Sequence, residues 1–101
     1  MPVESSLSAD QSTLLISIKG KFDFRLLNEF RHAYSGDALS VKNLIVDMRD
    51  TSTIDSSALG MLLNMRRYLE DSDIEIKIIN CNQDVLNVFK ITHFNRKFLI
   101  E

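Results

Sequence analysis

Leu44-Ile45-Val46-Asp47-Met48, a polar run from Arg49 to Ile54, and then Asp55-Ser56-Ser57-Ala58-Leu59-Gly60 together decide what this chain can fold into. The first segment is almost continuously apolar and β-branched at its centre, the pattern of a central strand. Behind the serines, Ala58, Leu62, Met65 and Leu69 recur at about 100° per residue, flanked by Met61 and Tyr68. That spacing predicts a helix from Ser57 to about Asp71 with this stripe on the core. Strand, polar turn and helix in that order place the serines beyond the carboxyl end of a buried strand, where α/β sheets usually carry their sites.

Working outward, Thr13 to Lys19 is β-rich and ends at Gly20, before a charged Lys21-Phe22-Asp23 turn. Pro2 to Leu7 fits a short edge strand, joined to it through the polar turn Ser8 to Ser12. From Arg25, the residues Leu26, Leu27, Phe30, Ala33 and Tyr34 share one helical face, and Gly36 supplies a stop. Ile74, Ile76, Ile78 and Ile79 alternate with Glu75 and Lys77, which predicts a strand nearer an edge. Val85, Leu86 and Phe89 form another helical face over Gln83 to Lys90 behind the N-cap candidate Asn82, and Phe98-Leu99-Ile100 fits a last short strand. Strands separated by single helices imply a parallel portion of sheet, while the first two strands can only be a hairpin. The expected architecture is one α/β domain over residues 1–101: a mixed sheet of four to five strands, mainly parallel, with an N-terminal hairpin and three to four helices.

The 101 residues, 45% hydrophobic, suffice for one core and not for two ordinary domains. A net charge of -2, from 12 Lys and Arg against 14 Asp and Glu, lacks the positive excess of a phosphate-backbone binder, so nucleic acid is not an expected partner. The single cysteine, Cys81, excludes an internal disulfide and a multi-cysteine metal site, and its position after Ile79 suggests a partly buried thiol. No apolar stretch approaches the ~18 residues of a membrane span, and Met1-Pro2-Val3-Glu4 has no signal-peptide character. A cytoplasmic location is expected, with no membrane partner.

The serine turn admits three readings: a helix N-cap, a nucleophile or a phosphorylation site. Asp55, Ser56 or Ser57 could each cap the helix. Ser56, Gly60 and Arg67 lie opposite the core stripe, and Leu59 and Leu63 fall between, as ordinary core leucines or as an apolar rim beside Ser56. An enzyme using either serine would need a base. No Gly-x-Ser-x-Gly elbow is present, and neither His32, on the solvent side of a helix, nor His93, in a loop or capping position, carries a motif pairing it with a serine. His32, Cys81 and His93 lack metal-ligand spacing, and the scattered Gly20, Gly36 and Gly60 make no phosphate-cradling loop. No metal or other cofactor is expected.

Three pieces of this sequence resemble the STAS domain of bacterial anti-sigma-factor antagonists and related stand-alone regulators. They are Lys19-Gly20-Lys21-Phe22-Asp23, Leu44-Ile45-Val46-Asp47-Met48 and Thr53-Ile54-Asp55-Ser56-Ser57-Ala58-Leu59-Gly60-Met61-Leu62-Leu63, and with the element order they cover essentially the whole chain. Ala58 departs from the glycine common at that position. The resemblance implies a regulator without catalytic activity. It also implies that Ser56 is phosphorylated by a partner serine kinase or anti-sigma factor of the histidine-kinase-like ATPase fold, and restored by a metal-dependent serine phosphatase. Asp23, Asp55 and Ser57 would border the phosphosite, and Leu59, Gly60, Leu63 and Arg67 would form the partner-binding surface. A constitutive interaction module, with Ser56 merely at a helix cap, is the alternative.

Overall fold

The computed structural model describes residues 1–35 and 40–101, so the stop expected at Gly36 lies outside the described residues. In chain order the strands are Val3–Leu7 (β1), Thr13–Ile18 (β2), Gly20–Phe22 (β3), Asn43–Asp47 (β4), Thr51–Ile54 (β5), Glu75–Ile79 (β6) and Leu99–Ile100 (β7). The helices are Leu27–Tyr34 (α1), Ser56–Tyr68 (α2) and Gln83–Ile91 (α3), with short 3-10 turns at Phe24–Leu26 and Phe94–Arg96.

The main sheet has five strands in the order β1-β2-β4-β6-β7. Among the described residues only β1 and β2 are antiparallel; every other pairing is parallel. The near-continuous apolar strand β4 is central, between β2 and β6, and β6 is covered on its outer side only by the two-residue β7, as the alternation of charge along it suggested. Asp10 ties the β1–β2 turn: its carboxylate accepts the Ser8 and Ser12 hydroxyls at 2.7 Å each and the Ser12 N–H at 3.0 Å.

Alternation along the strands fixes where the core lies. Val3, Leu14, Ile16, Ile18, Leu44, Val46 and Ile78 are buried. They join a single apolar cluster with Phe30 and Tyr34 of α1, Ala58, Met61, Leu62, Met65 and the following Leu69 of α2, and Val85 and Phe89 of α3. The intervening residues Leu15, Ile45 and Lys77 are only half-buried. Phe22, Phe30 and Tyr34 form a chain of ring contacts at 5.2 and 5.5 Å through the core. Phe89, Phe94 and Phe98 stack in succession at 5.6 Å.

Two segments read from sequence as turns are strands. Gly20–Phe22 and Thr51–Ile54 pair in parallel as a separate two-stranded sheet. Gly20 adopts φ 82°, a left-handed conformation that a Cβ would strain, and this bend takes the chain out of β2 and into β3. The pairing partner is 31 residues away, so no local pattern announced it. Thr51 secures the junction: buried, it donates its hydroxyl to the Ile18 carbonyl at 2.7 Å. The helix expected from Arg25 is divided, because Asp23 caps the 3-10 turn before α1 begins. The second helix ends at Tyr68, with Leu69 as its C-cap and the Ser72 hydroxyl closing onto the Leu69 carbonyl at 2.6 Å. Tyr68 is 51% exposed, resting edge-on against Tyr34 at 5.5 Å, so it flanks the core stripe without entering it.

Candidate functional site

β5 delivers the chain to α2 through Asp55, whose extended backbone (φ -123°, ψ -176°) makes it the N-cap. Its Oδ1 accepts the Ala58 N–H at 3.1 Å and the Ser57 hydroxyl at 2.6 Å. Of the three capping candidates, Asp55 therefore holds the position and Ser57 braces it. Ser56 is the first helical residue. It is exposed, and its hydroxyl makes no hydrogen bond among the described residues. These donors hold the Asp55 carboxyl below its ordinary range, the Ser57 hydroxyl contributing most and the Ala58 N–H next. Ala58 itself is fully buried, so its methyl belongs to the core.

The negative charge of Asp23 acts on Asp55 in the opposite direction, since the two motif carboxylates repel each other. Asp23 forms a fork with Arg25, the guanidinium Nη2 lying 2.8 Å from Oδ2, and accepts the Arg25 N–H at 3.0 Å. The Arg25 side chain is the main cause of a lowered Asp23 carboxyl. At pH 7 both carboxylates are ionised, and Arg25 offsets part of their charge. Asp50 contributes a structural bond, its carbonyl accepting the Gly20 N–H at 2.9 Å.

Along α2, Ser56, Gly60, Leu63 and Arg67 recur at four, three and four residues and are all exposed, Leu63 at 37%. A Cβ built at Gly60 would meet nothing within 4 Å, so the ridge is open there. Leu59 packs against the core while staying only half-buried, and Leu63 projects further into solvent. Phe24, directly after Asp23 and 66% exposed, sits on a 3-10 turn that contacts α2; it is an apolar surface residue that helical periodicity did not single out. Asn82 is the other residue whose second role was not visible. It caps α3 through the Val85 N–H at 2.8 Å, and its Nδ2 donates to the Thr51 and Ser52 carbonyls at 3.1 Å each, binding α3 to the strand that leads into the serine turn.

No histidine hydrogen-bonds to Ser56 or Ser57 among the described residues, and His93 lies in a left-handed turn (φ 61°) without using its side chain as a cap. The described residues contain no group of three or more His, Cys, Asp and Glu that could hold a metal ion. Cys81 is half-buried, and burial pushes its thiol up to about 11, so it stays protonated at neutral pH. No helix among them is long and apolar enough to cross a membrane.

Comparison with known proteins places the fold and the family. The STAS domain family model matches residues 5–101. A STAS-domain containing protein of Pseudomonas aeruginosa (strain UCBPP-PA14) is 37% identical over 100 residues, covering 99% of both chains. Among solved structures, the Thermotoga maritima protein TM1081 superimposes with a TM-score of 0.83 at 17% identity, over 97% of this chain and 84% of that one. The anti-sigma factor antagonist SpoIIAA in its unphosphorylated form gives 0.75 at 20% identity, over 98% and 86%. The phosphorylated form of the Bacillus cell fate determinant SpoIIAA gives 0.73 at 20%, over 98% and 90%. By its motifs, its sheet order and these matches, the chain belongs to the STAS domain family.

Proposed function

We propose that this protein is a non-enzymatic, phosphorylation-controlled partner-switching regulator whose switch is Ser56. The unphosphorylated form binds a serine kinase or anti-sigma factor of the histidine-kinase-like ATPase fold. Phosphorylation weakens that complex and a metal-dependent serine phosphatase restores it. The output is sigma-factor-dependent transcription or a biofilm, motility or stress pathway in the cytoplasm.

One observation carries this reading: Asp55 supplies the helix cap, leaving the exposed Ser56 hydroxyl without a structural task. A phosphate there brings about -1.5 to -2 charges to a helix N-terminus, where an anion gains roughly 0.3–1 kcal/mol. The fold therefore tolerates the modification. On a docking surface formed by Leu59, Gly60, Leu63 and Arg67, the same dianion adds to the charges of Asp55 and Asp23 and must be desolvated on binding. That costs about 2–3 kcal/mol, on the order of 100-fold in affinity. Membership of a family whose fold neighbours include one protein solved in both unphosphorylated and phosphorylated forms gives further support.

Phosphopeptide mapping of the protein purified from its own cells tests the site, and affinity capture tests the partner. The expected results are phosphate on Ser56, none on the Ser56→Ala variant, and capture of the kinase by Ser56→Ala but not by Ser56→Asp. Equal capture by Ala, Asp and wild-type forms would identify a constitutive interaction module in which Ser56 is only the first helical residue.

A further inference from the structure

We infer that the free edge of β1 is a self-pairing surface, through which two copies of this chain join their sheets about a two-fold axis centred on Ser5. β1 ends the main sheet and pairs with β2 alone among the described residues. The Lys19 N–H donates to the Pro2 carbonyl at 2.8 Å and the Ser8 N–H to the Thr13 carbonyl at 2.9 Å. In an antiparallel ladder bonded pairs alternate, so Pro2, Glu4, Ser6 and Ser8 face β2, whereas the backbone groups of Val3, Ser5 and Leu7 face outward. That leaves three donors and three acceptors in a row on an edge with no lysine, internal proline or bulge to blunt it.

The sequence of the strand complements itself. A two-fold at Ser5 sets Ser5 opposite Ser5 of the second copy and Val3 opposite its Leu7, all as hydrogen-bonded pairs. On the other face Glu4 meets Ser6 of the second copy, so no like charges oppose each other. Leu7, 48% exposed in the single chain, points to the same side of the sheet as Val3. On that side, a groove of about 140 Å³ runs between β1 and α1, bordered by Met1, Val3, Ser5, Glu29, His32 and Ala33. The pairing brings Leu7 of the second copy to Val3 and hence to this groove. Glu29 Oε2, buried and without a hydrogen-bond partner among the described residues, borders it too, on the side to which the Ser5 hydroxyl of the second copy is delivered. The interface shares no residue with the serine turn.

Sedimentation equilibrium of the purified full chain across micromolar to millimolar concentration, combined with amide exchange by NMR, tests this. The wild type is expected to rise with concentration from the 11.6 kDa monomer toward twice that mass. The amides of Val3, Ser5 and Leu7 should gain protection as it does so, while those of Glu4 and Ser6 are protected throughout. Ser5→Pro removes a donor that faces away from β2, a position where an edge strand accepts proline, and Leu7→Glu brings a second negative charge to the groove that the unpartnered Glu29 carboxylate borders. Each should remain monomeric at the highest concentration with an unchanged circular dichroism spectrum; if Ser5→Pro fails to fold, Leu7→Glu carries the comparison. A wild type that stays monomeric throughout would overturn the proposal. So would a dimer that persists in a folded variant, or one whose outward amides gain no protection.

Discussion

Replacing Asn82 by alanine removes two different supports with one side chain, and their sizes can be separated. The Oδ1 cap on the Val85 N–H is worth about 1 kcal/mol. The two Nδ2 bonds to the Thr51 and Ser52 carbonyls are partly or fully exposed to water, so together they contribute about 1 kcal/mol more, the low end of the usual range. Asn82→Ala is thus expected to lose about 2 kcal/mol, and Asn82→Ser, which keeps a capping oxygen but has no amide to reach β5, about 1 kcal/mol. Urea unfolding followed by circular dichroism measures both. With a slope of about 1–3 kcal/mol/M, the alanine midpoint should fall by roughly 1 M and the serine midpoint by about half as much. Equal losses for the two variants would show that the β5 tether contributes nothing. A loss under about 0.5 kcal/mol for alanine would refute the cap as well.

On α2, Leu62→Ala empties a fully buried site and should cost about 2–5 kcal/mol, whereas Leu63→Ala, already 37% exposed, should leave unfolding nearly unchanged while weakening partner capture. Chemical denaturation of the pair, beside the capture assay, checks both halves. The Asp10 carboxyl is held at about 2 by the Ser8 and Ser12 hydroxyls and the Ser12 N–H. A carboxyl depressed on folding stabilises above its unfolded value near 3.8 and loses that contribution as the pH falls through about 2. An NMR titration should find that midpoint in the wild type and a clear rise toward 3.8 in Ser8→Ala; an unchanged midpoint would remove the hydroxyl as its cause.

Most of the architecture was legible because it is written in local periodicity. The β-branched run at Leu44 to Met48 marked the central strand, and the stripe Ala58, Leu62, Met65 and Leu69 marked the buried face of α2. The β3–β5 ladder was not legible, since Thr51, Ser52 and Thr53 have a polar composition that suits a turn, and only pairing with the distant Gly20–Phe22 segment makes them a strand. At the serine turn, sequence left three possible caps within three residues. Backbone direction chose Asp55, because its extended conformation turns Oδ1 onto the Ala58 N–H and leaves Ser56 facing solvent. Phe24 escaped notice for a related reason: whether a lone aromatic beside a charged turn is core or surface depends on how Asp23 caps that turn.

The central claim is tested most directly by a binding titration. The captured kinase partner is titrated by calorimetry with the unmodified chain and with the same chain carrying phosphoserine at position 56. The switch predicts intact folds for both forms and a dissociation constant about 100-fold weaker for the phosphorylated one, with Ser57→Ala, once phosphorylated at Ser56, weakened to a similar degree. Equal dissociation constants for the two forms would contradict it and leave Ser56 as a structural residue at the start of α2.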